Sequence, residues 1–418
     1  MRGRAVAAVA AAGLVASGFL FPVSYAWADE IRDRQYWISQ YGIDRAWEVT
    51  RGAGVTIAII DTGVDSSHQD LQGAIVGGTD VSGIGSSDGQ TPVGRGSEHG
   101  TLVASLAAGR GNSRNSGVIG AAPEANILSV SMAFAGATRP ADEQIARAVR
   151  WSVDNGADII SLSLTRNTRE WPTSWDEAFL YAESKNVVVI AAAGNRGSGT
   201  EAVGAPATMP GVLTVGGVTR AGAASTRASS QGITIGVMAA SENLVGAVPG
   251  DRYALWDGTS GATPIVAGIA ALVRAAHPDL DAANVINRIL ATAQPQTEQT
   301  PDPLYGYGIV DAFAAVTADV PRVSTNPLGT LAEWIVIYRR GEGEKTVIEF
   351  DPIALPENQE APALPQLPQT LDEAALTGLP YAMVLSLGVS LSLVVFGALY
   401  QVRRVKTLGR VEASDVYS

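Results

Sequence analysis

Ser260 has the sequence surroundings of a nucleophile. It follows the turn residues Asp257 and Gly258 and begins an apolar run with helical spacing, in which Pro264 fits the first turn of a helix. Free backbone N–H groups and the positive end of the helix dipole favour developing negative charge at such a position. Ser260 therefore suits attack on a carbonyl carbon, although a serine that only caps the helix would have the same surroundings.

A serine hydroxyl is a poor nucleophile until a base removes its proton, and the chain has three histidines to provide that base. His277 lies several turns away, at the end of the helix that Ser260 begins, where the helix dipole favours a histidine. His68 lies in a polar turn that it can simply hold in place. His99 lies where a loop meets an apolar helix, and we predict that His99 is the base.

An acid that orients this base and a donor that stabilises an oxyanion complete such a site. Asp61 directly follows an apolar run at the carboxyl edge of a predicted sheet, where α/β proteins bind ligands. A helix-cap or turn role is the alternative for Asp61. Asn195 ends another apolar run in a glycine-flanked turn, so its amide and the Ser260 N–H form a possible two-donor site. A plain turn residue is the alternative for Asn195.

Four segments around these residues resemble the signature blocks of the subtilisin-like serine proteases, or subtilases. The segments are 61–65 (DTGVD), 99–101 (HGT), 193–195 (AGN) and 258–268 (GTSGATPIVAG). The chain order Asp, His, Ser is that of subtilisin, and the resemblance covers residues 54–320. It implies a protein or peptide substrate. No cofactor is predicted and no metal ligand is assigned, although subtilases commonly bind calcium. The roles that it implies are a triad of Asp61, His99 and Ser260, an oxyanion donor in Asn195, and substrate binding by Ser163, Leu164 and Thr165 within residues 161–165.

Two positions depart from the subtilase pattern. Glu98 stands where the family usually has a glycine before the histidine, so we expect it to raise the pKa of His99 or to crowd the cleft. Thr165 replaces a frequent glycine on the substrate-binding strand, so we expect a narrower first pocket. The chain has no cysteine, which excludes disulfides, thiolate metal sites and a cysteine nucleophile.

Apolar runs of strand length alternate with helical patterns in this part of the chain. This alternation predicts an α/β fold with a mostly parallel sheet and helices on both faces. The predicted strands are 55–60, 127–130, 159–164 and 187–192, and the predicted helices are 99–108, 141–153 and 174–184.

Both ends of the chain carry targeting signals. Arg2 and Arg4 precede an uncharged, alanine-rich run, which predicts a secretory signal peptide over residues 1–28, with an uncleaved anchor or an alanine-rich helix as the alternatives. Residues 379–402 contain no charge and extend about 36 Å as a helix, enough to cross a bilayer as one C-terminal transmembrane helix. Basic residues follow this span, so residues 403–418 are predicted to be cytoplasmic and the catalytic domain extracytoplasmic.

The remaining segments connect these parts. Residues 29–53 are predicted to be an N-terminal extension that wraps the catalytic domain. Residues 333–338 and 346–350 resemble two short strands, and a Pro-rich linker of 351–378 completes the segment 321–378. The net charge of −12 argues against a nucleic-acid partner.

The whole layout resembles the mycosins, membrane-anchored proteases of type VII secretion systems. The resemblance implies a single-pass protease of the cell membrane that cleaves proteins and contacts the secretion machinery. The alternative is a structural subunit of that membrane complex with a dispensable protease site.

Overall fold

The computed structural model describes residues 30–113 and 115–339. Five predicted features lie outside these residues: the signal peptide (1–28), the second strand-like segment (346–350), the Pro-rich linker (351–378), the transmembrane helix (379–402) and the cytoplasmic tail (403–418).

A seven-stranded sheet forms the centre of the domain. Its strands are β1 (Thr56–Asp61), β2 (Ile75–Asp80), β3 (Asn126–Ser131), β4 (Ile159–Leu162), β5 (Val188–Ala192), β6 (Leu213–Val218) and β7 (Ile235–Ala240). Neighbouring strands follow the order β2-β3-β1-β4-β5-β6-β7, and all of these pairings are parallel. A separate antiparallel hairpin consists of β8 (Leu244–Val248) and β9 (Arg252–Trp256). The parallel sheet that the sequence predicts is therefore confirmed.

Helices cover the sheet. They are α1 (Glu30–Asp33), α2 (Trp37–Gln40), α3 (Ile43–Ala46), α4 (His99–Ala108), α5 (Ala141–Asp154), α6 (Thr173–Ser184), α7 (Thr259–Ala276), α8 (Ala282–Ala291), α9 (Ala312–Thr317) and α10 (Leu331–Tyr338). Helices α4, α7 and α8 form one layer, and α5 and α6 pack together as another. The layers bury the apolar runs of β1, β4 and β5 on both faces, as continuous apolar strands require.

Helix α7 is the central helix of the domain. Of the helices in the described residues, it alone is long and apolar enough to cross a membrane, and most of it is buried in the core of the domain. It begins at Thr259, so Pro264 lies in its second turn and not in the first turn that the sequence predicted. Proline has no N–H to donate to the carbonyl four residues earlier, which belongs to Ser260.

Residues 333–338 form part of α10, so the prediction of a strand there is wrong. Thr330 caps the helix, because its side chain accepts a hydrogen bond from Glu333 N at 3.3 Å. The rings of Trp334 and Tyr338, one helical turn apart, pack at 5.2 Å between centroids. A short apolar run fits a strand and a buried helix equally well, and here the cap and the aromatic pair favour the helix.

The segment of α1 to α3 packs on the rest of the domain through buried side chains. Trp37 and Ile43 are fully buried. The amide of Gln35 makes two hydrogen bonds with the backbone of Ile119, accepting from its N–H at 2.9 Å and donating to its carbonyl at 2.7 Å. Tyr36 Oη donates to the carbonyl of Glu242 at 2.7 Å. These contacts attach the segment to two distant parts of the domain.

Candidate active site

Three neighbouring strands deliver the candidate residues to one edge of the sheet. Ile60 of β1 pairs with Leu162 of β4, so the next residues, Asp61 and Ser163, lie level with each other. Asn195 follows β5, the strand on the other side of β4. The carboxyl ends of parallel strands meet at this edge, where α/β proteins place ligands.

Asp61 and His99 form a close pair. The Nδ1 atom of His99 lies 2.8 Å from Asp61 Oδ1 and 2.9 Å from Oδ2. Asp61 is 5% exposed, and its Oδ1 also accepts a hydrogen bond from Thr62 N at 2.7 Å. Because Nδ1 faces a carboxylate, it carries the ring proton, and Nε2 is left as the proton acceptor.

Thr62 fixes the loop that carries His99. Its hydroxyl donates to the carbonyl of Ser97 at 3.0 Å and accepts from Gly100 N at 2.9 Å, so it holds the chain on both sides of the histidine. The ring of His99 also meets the indole of Trp256 edge to face, with 5.6 Å between centroids. Sequence reasoning gave neither Thr62 nor Trp256 a role, although Thr62 directly follows Asp61 and Trp256 lies two residues before the segment 258–268.

The pKa of His99 is raised above its ordinary value of 6.5. Burial lowers this pKa, but the charge of Asp61, its hydrogen bond to the ring and the charge of Glu98 together raise it by more. Glu98 therefore acts on His99 in the direction that its sequence position predicts.

The other two histidines hold backbone segments. His68 Nδ1 accepts a hydrogen bond from Asp70 N at 3.1 Å, and its Nε2 lies 3.1 Å from the carbonyl of Arg252. His277 Nε2 lies 2.7 Å from the carbonyl of Val316. Both ring nitrogens of His68 and Nε2 of His277 are thus engaged with the main chain, as a structural role requires.

Ser260 lies in the first turn of α7 and is tied to the end of β4. Its Oγ donates to the carbonyl of Ser163 at 3.2 Å, and Ser163 Oγ donates to the carbonyl of Ser260 at 2.8 Å. Gly258 precedes the helix with φ +149°, a conformation that other residues rarely adopt. The geometry places Ser260 at the helix N-terminus, beside the segment that follows β4 and starts at Ser163.

Two contacts from Thr259 determine which way the Asn195 amide points. Asn195 Oδ1 accepts from Thr259 N at 2.8 Å and from Thr259 Oγ1 at 3.1 Å. The oxygen is therefore turned toward the start of α7, and Nδ2 remains a donor on the other side of the amide. A Cβ at Gly258 would lie 3.3 Å from this Nδ2, so a glycine there keeps space around the donor.

The three candidate substrate-binding residues follow β4, which ends at Leu162 and not at residue 164 as predicted. Ser163 and Leu164 are buried, at 5% and 7% exposed, and Thr165 is half-buried. Within the described residues, no group of three or more His, Asp or Glu side chains is placed to hold a metal ion.

The chain matches a family profile and several known proteins. Residues 52–308 match the profile described as the Subtilase family. The chain is similar to the thermophilic serine proteinase of Bacillus sp. strain AK1, with 36% identity over 297 residues that cover 68% of this chain and 69% of that protein. It is similar to mycosin-4 of Mycobacterium tuberculosis, with 33% identity over 328 residues that cover 68% of this chain and 69% of that protein. A solved structure of the MycP3 protease from the type VII (ESX-3) secretion system matches with a TM-score of 0.57 and 31% identity, over 68% of this chain and 88% of that one.

Proposed function

Because the chain belongs to the subtilase family of serine peptidases, we propose that it is an endopeptidase that uses Asp61, His99 and Ser260 as its catalytic triad. The observation that carries this proposal is the pair of short contacts between both carboxylate oxygens of Asp61 and Nδ1 of His99. A carboxylate in this position fixes the tautomer of the imidazole and stabilises the imidazolium that forms during the reaction.

The reaction begins when His99 Nε2 takes the proton of Ser260 Oγ and the oxygen attacks the carbonyl carbon of the substrate. In the resting site the hydroxyl donates to the carbonyl of Ser163, so it must turn toward His99 when a substrate binds. The tetrahedral intermediate places its negative oxygen between Asn195 Nδ2 and the backbone N–H of Ser260.

The imidazolium of His99 then gives its proton to the leaving amine, and an acyl-enzyme on Ser260 remains. A water molecule, deprotonated by His99, attacks the acyl carbon; His99 then returns the proton to Ser260 Oγ as the acid product leaves. Asp61 stays ionised throughout, because its role is to hold and stabilise the imidazolium. The segment 163–165, which follows β4, is suited to bind the substrate backbone beside Ser260.

We further propose that this endopeptidase is a membrane-anchored component of a type VII secretion system. Support comes from the similarity to mycosin-4 and to the MycP3 protease of the ESX-3 system. The apolar run of 379–402, followed by Arg403, Arg404 and Lys406, supports a single span with the catalytic domain outside.

A fluorophosphonate reagent tests the catalytic proposal directly, because it reacts with an activated serine. We expect the full chain to be labelled at Ser260, and the variants Ser260→Ala and His99→Ala to lose the label. The matched control is His68→Ala, which removes another histidine and should retain the label. Equal labelling of wild type and Ser260→Ala, or labelling that depends on His68 and not on His99, would refute the assignment.

A further inference from the structure

We propose that Thr165 restricts the residue on the acyl side of the scissile bond, called P1, to glycine, alanine or serine. The proposal rests on the proposed function, because it concerns the substrate of the same site. It concerns the space into which the P1 side chain must extend when its carbonyl is in place for attack.

The position of the P1 side chain follows from the position of its carbonyl. The carbonyl carbon must lie beside Ser260 Oγ, with its oxygen near Asn195 Nδ2. The Cβ of the same residue lies about 2.5 Å from that carbon, because both are bonded to one Cα. Ser163 accepts a hydrogen bond from Ser260 Oγ and Gly194 directly precedes Asn195, so we place the side chain between the segment 163–165 and the backbone of Gly194.

Three side chains already fill the space around Gly194, the residue before Asn195. A Cβ added to Gly194 would lie 3.2 Å from Thr165 Cγ2, 2.6 Å from Thr200 Cγ2 and 2.8 Å from Ser230 Oγ. The two threonine methyl groups and the serine hydroxyl thus pack directly against the glycine backbone.

The backbone of Gly204 lies equally close to Thr165 on the other side. A Cβ added to Gly204 would lie 2.8 Å from Thr165 Oγ1 and 1.8 Å from the carbonyl of Arg166. The side chain of Thr165 therefore fills the gap between the backbones of Gly194 and Gly204. A bulky P1 side chain could enter only if Thr165 moved.

The structure opposes such a movement. Thr165 is β-branched, so its χ1 angle has few favourable values. Its neighbours are also fixed: Thr200 Oγ1 donates to Asn167 Oδ1 at 2.7 Å, and Ser230 Oγ donates to the carbonyl of Thr200. Thr200 and Ser230 are buried, at 6% and 2% exposed. The walls consist of methyl groups and hydroxyls, so they also offer no counter-charge to a buried ionised side chain.

The test measures kcat/KM of the full chain for peptides that differ only at P1, with Gly, Ala, Ser, Leu or Phe in that position. We expect wild type to prefer Ala to Phe by at least about 10-fold, since a poorly fitting pocket discriminates by about 10–200-fold. Thr165→Gly should lower this Ala-to-Phe ratio by about 10-fold or more. Thr165→Ser, which removes only Cγ2, should lower the Ala-to-Leu ratio by a smaller factor.

Thr165→Val is the control for steric bulk: valine keeps the branched shape of threonine and removes only the hydroxyl, which donates to the carbonyl of Arg166 at 3.2 Å. Its Ala-to-Phe ratio should remain close to the wild-type ratio, because the proposal assigns the restriction to the bulk of the side chain. A wild-type preference for Phe or Leu would overturn the proposal, and so would an unchanged ratio in both Thr165→Gly and Thr165→Ser.

Fluorophosphonate labelling separates this outcome from a failure of the proposed function. A small alkyl fluorophosphonate reacts with Ser260 whatever the P1 preference is. Absence of labelling in wild type would refute the catalytic proposal itself. Normal labelling together with a preference for large P1 residues would refute only the role of Thr165.

Discussion

Ser163 and Ser260 are joined by a reciprocal pair of hydrogen bonds, in which each hydroxyl donates to the other residue's carbonyl, at 2.8 and 3.2 Å. Pro264 leaves the carbonyl of Ser260 without a helical hydrogen-bond partner. In an unbroken helix the carbonyl of Ser260 would accept a hydrogen bond from the N–H of residue 264, and proline has none. The carbonyl is therefore available to Ser163, which ties the candidate nucleophile to the strand that leads into the substrate-binding segment.

A double-mutant cycle on Ser163 and Pro264 tests this relationship. Ser163→Ala leaves the carbonyl of Ser260 without its partner, which should lower the free energy of unfolding by about 1–3 kcal/mol. Pro264→Ala supplies a helical N–H, so in the Ser163→Ala background it should recover part of this loss. Urea unfolding of the four proteins measures the coupling, about 1 kcal/mol if one hydrogen bond is restored. Strictly additive losses would contradict the role given to Pro264.

The sequence predicted the elements that depend on local pattern. The apolar runs that became β1, β3 and β5 were identified within one or two residues, and α4 has the predicted bounds. Strand β2 was missed because it contains Gly77 and Gly78 and has no fully buried run. A Cβ at Gly78 would lie 2.2 Å from the carbonyl of Asp88. The requirement for glycine at this position therefore comes from a tertiary contact, which the local sequence pattern does not show.

The candidate site was also predicted only in part from the sequence. Residue types and their order were enough to select Asp61, His99, Ser260 and Asn195 as candidates. The direction of the Asn195 amide was not accessible, because Thr259 sets it across 64 residues of chain. Sequence also placed α10 wrongly as a strand, since the ring contacts of Trp334 exist only in the folded domain.

Asn195→Ala should lower kcat by about 10²–10³ with little change in KM, because the lost donor acts mainly on the oxyanion of the transition state. Thr259→Ser is the matched control, since it keeps the hydroxyl that holds Asn195 Oδ1 and should retain activity within a few-fold. Steady-state kinetics on one peptide substrate measure both parameters. An effect of Asn195→Ala confined to KM would make Asn195 a substrate-binding or turn residue.

The pH dependence of kcat/KM should reflect the raised pKa of His99. The base must be neutral to accept a proton, so activity should rise with pH through that pKa, with a midpoint above 6.5. Glu98→Gln removes one charge that raises the pKa, so the midpoint should move to lower pH. Glu177→Gln, an exposed carboxylate on α6, changes the net charge equally and should leave the midpoint in place.

His99 also makes the stability of the fold depend on pH. This dependence is opposite to that of activity, because stability falls as pH rises. The folded state raises the pKa of His99, so protonated His99 stabilises the fold. This contribution is fully present below the unfolded-state pKa and is lost as pH rises through the folded-state pKa. If the pH dependence of kcat/KM in Glu98→Gln is identical to that of wild type, Glu98 does not affect the pKa of His99.

Gln35 should anchor the N-terminal segment to the domain. Gln35→Ala leaves the N–H and the carbonyl of Ile119 without their partners in a buried position, at a cost of at least about 2 kcal/mol in the free energy of unfolding. Gln40→Ala is the matched control, because Gln40 is exposed and makes one hydrogen bond of 3.2 Å, to the carbonyl of Arg220. Its cost should stay below about 0.5 kcal/mol. Equal costs in urea unfolding would show that the segment is not held through Gln35.

Removal of residues 379–418 should release a soluble and active peptidase. All candidate catalytic and substrate-binding residues lie between Asp61 and Ser260, and the only long apolar run after α10 lies within the deleted part. Fractionation should place the truncated chain in the soluble fraction, with fluorophosphonate labelling and peptide hydrolysis equal to those of the full chain.

In cells, the truncated chain should fail to support secretion if the span contacts the machinery, whereas Ser260→Ala with an intact span should preserve assembly of the complex. Full secretion by the truncated chain would refute a partner contact through 379–402, and a folded but inactive truncated chain would refute an independent catalytic domain.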